Sequence, residues 1–271
     1  MVWIAGLAGL LIGSFLNVCI NRWPEGESVI TPRSRCPECE RPIAWYDNIP
    51  VLSYLLLRGR CRGCGTRISI QYPLIEVATG LIWSAAAARY GLTLDAIRVG
   101  SLDVETGIEA LRSAVFLTLL LGIAMTDAKR MLIPYQLSLG GAALGVAMAA
   151  VPGGFPLPSA LIGAVVGWVA FWLVSYGGEK LFRKPALGLG DVDMMAMLGA
   201  FLGIQGALVT VFLGSFLGLL IGVPLTMARG RLELLKTYLP LGTFLAMGGA
   251  IVHIWGREMI DWYVGTVLGL G

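Results

Sequence analysis

The sequence predicts an all-α integral membrane protein with about eight transmembrane helices and a cysteine-rich cytoplasmic loop between helices 1 and 2. Three observations carry this. Of 271 residues, 56% are hydrophobic and only 14% are charged, where a soluble domain carries about 25% charged residues. The mean hydropathy is +0.77. Four of the five cysteines form two C-x2-C pairs inside the one long polar segment. A soluble enzyme with a single anchor is excluded by this composition. The net charge of +3 says little; where the charges lie says more.

The first apolar run, VWIAGLAGLLIGSFLNVCI, has no basic start and no A-x-A cleavage site, so it reads as a retained helix and not a signal peptide. Windows of about 20 residues, long enough to span, fall at 2–20, 73–90, 112–127, 131–151, 158–177 and 205–228, with shorter ones at 191–203 and 240–256. The 191–203 segment ends at Gly203, and Gln205-Gly206 is expected to make a tight turn into the next helix. Residues 91–111 form an acidic outer loop with Asp95, Asp103, Glu105 and Glu109, and 257–271 an interfacial tail. The expected organisation is helix 1 over 1–20, the tetracysteine loop over 21–72 and a polytopic core over 73–271.

Basic residues orient a membrane protein, because cytoplasmic loops are enriched in Lys and Arg. With residues 21–72 inside, that loop holds eight arginines, and eight helices put 16 of the 20 basic residues on the same side. The opposite side receives Arg89, Arg98, Arg112 and Arg257. Both termini then lie outside.

This topology brings two acids to one depth. Helix 3 runs inward and ends at MTDAKR; helix 6 runs outward and begins at GLGDVDMM. Asp127 and Asp191, 64 residues apart, both fall at the cytoplasmic boundary. Two close carboxylates share one proton because both cannot ionise cheaply. One can take a proton from water while the other donates to a peptide carbonyl, which is aspartic proteolysis. Gly188 and Gly190 would permit positive φ and close approach of another backbone. The plainer reading is an interfacial acid, with Asp127 as partner of Lys129 and Arg130. Ionisable groups in apolar surroundings favour function.

Cys36-Pro-Glu-Cys39 and Cys61-Arg-Gly-Cys64 follow the zinc-ribbon pattern. Four thiolates close a tetrahedral site, and disulfides are disfavoured in the cytoplasm. The loop therefore reads as a cytoplasmic zinc-ribbon-like loop, its Zn2+ structural because four cysteines leave no open position. Gly63 and Gly65 suit the turn that brings amides toward sulfur. The surrounding arginines are expected beside a bilayer, and no nucleic acid is expected as a partner.

With these residues in view, the chain resembles the bacterial type IV prepilin peptidases, the GxGD aspartic leader peptidases of type IV pili and type II secretion. GSFLNVCINRWP resembles the family's opening motif, and TPRSRCPECERPIAWYDNIPVLSYLLLRGRCRGCGTRISIQYPLIE its tetracysteine loop. TDAKRMLIP and GLGDVDMMAMLGAFLG resemble the two aspartate motifs, and LPLGTFLAMGG the C-terminal helix motif. The resemblance implies that Asp127 and Asp191 are the catalytic pair. It implies a prepilin or pseudopilin substrate, cut after glycine on the cytoplasmic side of the bacterial inner membrane. It implies N-methylation of the new N-terminus with S-adenosylmethionine as methyl donor. The chain departs from the family's usual residues at Asp193 (often Lys), Tyr135 (often Asp or Asn) and Glu40 (often Gly).

Other polar residues carry two readings each. Glu76 is either an interfacial acid paired with Arg67 or another loop arginine, or a contact for substrate leader or cofactor. Asp193 lies about 200° around the helix from Asp191, so it should face away from the pair, in a tuning or substrate-facing role. Asn17 is expected to bond between helices, with Gly13 and Ser14 permitting close packing. Cys19, Met194, Met195 and Met197 read as packing, and His253 as non-catalytic. Two rivals remain: a proton-coupled transporter using the same acids, and a zinc-ribbon scaffold in which the acids are incidental.

Overall fold

A computed structural model of the chain describes residues 1–92, 104–151, 154–183, 187–224, 239–262 and 265–266. The acids Asp95 and Asp103, the basic residues Arg98, Lys184, Arg229, Arg231 and Lys236, and residues 263–264 and 267–271 of the expected tail lie outside them. Among the described residues the fold is helical, and its β-structure is limited to two isolated bridges. The chain divides into two compact units, Met1–Thr118 and Leu119–Gly271.

The first unit is built on an antiparallel pair, α1 (Val2–Arg22) and α3 (Gln71–Arg89). Small residues line the seam, so the two backbones touch. A methyl on Gly9 would fall 2.7 Å from Thr79 O, and one on Gly13 would fall 2.8 Å from Glu76 Cα. Close backbone contact replaces the hydrophobic drive that lipid removes. Asn17 sits at the end of this seam, buried, and its Nδ2 donates to Tyr72 O at 3.0 Å. The expected interhelical bond is therefore present, and Cys19 beside it is buried packing. Between these helices come the cysteine turns, a 3-10 turn at Trp45–Asn48 and the five-residue α2 (Leu52–Leu56). The first part of α4 (Val104–Arg130) completes the unit, with Trp83 Nε1 donating to Thr118 Oγ1 at 3.1 Å.

The second unit comprises the end of α4, then α5 (Tyr135–Ala149), α6 (Leu157–Phe182), α7 (Leu189–Leu217, prolonged by a π turn over Gly218–Gly222) and α8 (Leu241–Trp262). Its centre is the first half of α7, where Val192, Met194, Met195, Met197, Leu198 and Phe201 are buried. The methionines are core, as their apolar setting suggested. Gly163 and Gly199 bring the α6 and α7 backbones into direct contact, and a methyl on Gly248 of α8 would fall 2.9 Å from Gly214 N.

Gly203 breaks α7, with φ 69° and ψ −177°. Leu198 and Thr210 both approach Gly249, at 2.9 and 3.6 Å from where its Cβ would stand. On a straight helix, residues 12 apart are separated by about 18 Å, so the chain doubles back. The expected end at Gly203 is observed. The expected turn at Gln205-Gly206 is not: both residues are helical, because one glycine in the left-handed region suffices to reverse the chain.

Over its described residues each of the eight apolar windows coincides largely with a helix, the two halves of α7 counted separately. Eight crossings do not follow. Among the described residues, four helices are long and apolar enough to span: Val2–Glu25, Val104–Arg130, Leu157–Leu181 and Leu189–Gly222. The 15 residues of α5 rise only about 22 Å, short of the roughly 30 Å hydrocarbon core. The protein is a multi-pass membrane protein by this measure.

Candidate active site and metal centre

The cysteines occupy two turns of one design. In the first, Cys36 N donates to Arg41 O and Glu40 N to Cys36 O, at 3.1 and 2.9 Å. In the second, Cys61 N donates to Thr66 O and Gly65 N to Cys61 O, at 2.8 and 2.9 Å. A bridge closes each turn, Arg35 with Pro42 and Arg60 with Arg67. Gly65 takes φ +74°, and its counterpart Glu40 takes φ +55°. All four sulfurs lie within 4.8 Å of one another. The cross-turn pairs Cys36–Cys64 and Cys39–Cys61 are 3.8 and 4.0 Å apart. Tetrahedral ligation at about 2.3 Å places sulfurs about 3.8 Å apart, whereas a disulfide needs about 2.05 Å. The donor set and its spacing thus fit a tetrahedral metal ion.

The electrostatics divide within the cluster, with the Cys64 thiol pushed up to about 11 and Cys61 pulled down. The amides of Cys64 and Gly63, directed at Cys61, pull its thiol down to about 6, and the thiolate is the form that ligates. Arg62 forks onto Asp47 at 2.9 and 2.7 Å, holding that carboxyl below its usual range. It also lies over the Tyr46 ring. The second cysteine turn is thereby tied to the 45–48 segment.

Glu76 is buried on α3, and its Oε2 accepts the Val51 N–H at 2.7 Å. The expected pairing with an arginine is not what the described residues show: the carboxylate holds the loop at Val51, a β-branched residue with φ +61°. A few kcal/mol of such strain persists only where surroundings impose it.

In the second unit, Asp127 and Asp191 come within electrostatic reach of each other. Asp127 is buried three residues before the end of α4. Its Oδ2 accepts the backbone N–H of Thr243 at 2.7 Å and the Thr243 hydroxyl at 3.0 Å. That hydroxyl also lies 3.3 Å from Ala124 O. Asp191 lies in the first turn of α7, whose N-cap is Gly188. Helix N-termini favour negative charge. Lys129 is exposed and takes no part in these bonds.

The glycines act through space and not through φ. Gly188 has φ −69° and Gly190 is helical, so the expected positive φ is absent. The expected close approach is present. A methyl on Gly190 would stand 2.9 Å from Ile133 Cβ, and one on Gly188 would stand 3.2 Å from Asp191 Oδ2. Asp193 faces α6, where its Oδ1 accepts Trp168 Nε1 at 3.1 Å. It ends a column in which Trp168, Trp172 and Tyr176 stack and Lys180 covers Tyr176. His253 lies ten residues beyond Thr243 on α8.

Three residues of this neighbourhood were not singled out from sequence: Ile133, Gly242 and Thr243. A signal existed. Ile133 lies in TDAKRMLIP and the other two in LPLGTFLAMGG, both already notable as motifs.

Comparison with known proteins identifies relatives of this chain. Residues 7–90 match the bacterial peptidase A24 N-terminal domain, and residues 114–223 match the type IV leader peptidase family. Proteins named prepilin leader peptidase/N-methyltransferase are similar over most of the chain. The one from Aeromonas salmonicida is 32% identical, over 97% of this chain and 93% of its own. That from Pseudomonas putida is 35% identical, over 95% and 92%. That from Myxococcus xanthus is 41% identical, over 82% of this chain and 62% of its own length. No solved structure matches. The chain belongs to the type IV leader peptidase family.

Proposed function

We propose that this protein is a membrane aspartic endopeptidase that removes the leader of type IV prepilins or pseudopilins after a glycine, with Asp127 and Asp191 as the catalytic pair. The observation that carries the reading is that two carboxylates from distant helix ends lie within electrostatic reach of each other, one of them buried and fixed by two donors from Thr243. The pair shares one proton and titrates as a pair. Its ionised member takes a proton from water, and the water oxygen attacks the peptide carbonyl carbon. The protonated member gives its proton to the carbonyl oxygen. The tetrahedral intermediate then collapses as a proton passes to the leaving amine. No metal enters this scheme.

The four cysteines would hold Zn2+ as a staple of the loop. S-adenosylmethionine would supply the methyl group for N-methylation of the new N-terminus. The residues that suit its polar head are those of the α1–α3 junction. There Asn17 Oδ1 and Gln71 Nε2 are buried without hydrogen-bond partners. The distribution of arginines supports eight crossings and a cytoplasmic active site, and the family resemblance supports an inner-membrane location. Against a transporter stands the position of both acids at helix termini, where a transporter would need them near the bilayer midplane. The relatives' names lend that alternative no support.

The test mixes purified protein in detergent with a prepilin. Asp127→Asn and Asp191→Asn should each abolish cleavage, and cleavage surviving in either refutes the pair. Labelled S-adenosylmethionine reads methylation separately. Cys36→Ser should lose zinc, and full zinc content in that variant refutes the staple.

A further inference from the structure

We propose that Ile133 is a specificity-determining residue: wedged between the starts of α7 and α8 beside Asp127, it excludes a side chain from the substrate position preceding the scissile bond. This rests on the peptidase reading above.

The connector that carries Ile133 is short and pinned at both ends. At its start, Met131 takes φ +51° and its N–H returns to Asp127 O at 2.8 Å. At its end, Pro134 is the buried N-cap of α5. Ile133 therefore has little freedom to swing away. Its side chain reaches from one helix start to the other. The Cβ lies 2.9 Å from where a methyl on Gly190 would stand, and Cδ1 lies 2.6 Å from where one on Gly242 would stand. Asp127 Oδ2 is 3.1 Å from that same point on Gly242. The Ile133 methyl and the catalytic carboxylate thus crowd the same point beside Gly242, and neither helix start tolerates a Cβ there.

The scissile carbonyl carbon must come within reach of a water held by the pair. The Cα preceding the scissile bond is one bond from that carbon. Its substituent enters the space bordered by Asp127, Gly190, Gly242 and Ile133. A hydrogen fits; a methyl meets Ile133. The glycines already present the least bulk available, so the side chain of Ile133 is the part that can yield. A rival cause of glycine preference is backbone conformation, glycine being needed for a φ that other residues resist. The two causes separate cleanly, because trimming Ile133 relaxes the first and leaves the second unchanged.

The experiment uses the full-length protein in detergent and two prepilins that differ only by Gly→Ala before the scissile bond. The readout is the ratio of kcat/KM for the Ala substrate to that for the Gly substrate, which cancels losses common to both. Ile133→Ala should raise this ratio about 10- to 200-fold, the range for one methylene in a pocket, and Ile133→Val should raise it less. An unchanged ratio in Ile133→Ala overturns the proposal. If Ile133→Ala fails to cleave the Gly substrate, Ile133→Val decides in the same way. Failure of the wild-type protein to cleave the Gly substrate would instead refute the peptidase reading.

Discussion

Replacing Glu40 by glycine should strengthen the metal site, although it deletes an entire side chain. Glu40 and Gly65 hold equivalent places in the two cysteine turns, and both take positive φ, +55° and +74°. For a residue with a Cβ the left-handed region costs roughly 1–2 kcal/mol. Against this, glycine loses about 0.5–1 kcal/mol more backbone entropy on ordering. The difference favours Glu40→Gly by about 0.5–1 kcal/mol. The side chain is exposed, so little packing is lost with it. Because folding of the loop and ligation are coupled, the gain appears as a zinc dissociation constant about 2- to 5-fold lower, at 1.4 kcal/mol per tenfold. The mirror substitution, Gly65→Ala, should weaken binding by a similar or larger factor. Competition with a chromophoric chelator measures both. Weaker zinc binding in Glu40→Gly, or unchanged binding in Gly65→Ala, would refute the argument that these turns are equivalent and strained at one position.

Thr243→Val keeps the shape and the backbone N–H but removes the hydroxyl 3.0 Å from Asp127 Oδ2. Bonds to charged groups contribute about 1.5–3 kcal/mol, so kcat should fall about tenfold or more with KM nearly constant. Thr243→Ser should restore it, and a wild-type kcat in the valine variant would exclude a positioning role. Gly242→Ala should lower kcat/KM by at least tenfold, because the added methyl meets Ile133 at 2.6 Å and Asp127 at 3.1 Å; steady-state cleavage assays decide. Glu76→Ala leaves the Val51 N–H without its 2.7 Å acceptor, a loss of about 1–3 kcal/mol. Proteolysis in the loop between residues 46 and 60 should accelerate severalfold, and unchanged resistance would mean that the bond does not hold the loop.

The helices and the cysteine turns were legible because their signals are local. Apolar windows report burial or lipid residue by residue, and two C-x2-C pairs report a shared ion through spacing alone. The proximity of Asp127 and Asp191 was expected for a different reason: charge counting assigns both helix ends to one side, hence to one depth, and the two acids lie within electrostatic reach of each other. Depth is where that inference stops. It cannot say which residue of α8 meets Asp127, since Thr243 lies 116 residues away and its hydroxyl leaves no mark on hydropathy. It also misdirects on the glycines. Gly188 and Gly190 suggested a special φ, yet the described non-glycine residues that take positive φ are Glu40, Val51, Arg58, Met131 and Arg183, of which only Glu40 carried a sequence signal. A glycine is informative about space only when the group that fills the space is known. Gly190 and Gly242 have the same neighbour, Ile133. That shared contact turns two unremarkable gaps in two motifs into one wall of the candidate site, and it makes the size of a single aliphatic side chain the variable on which substrate choice can be tested.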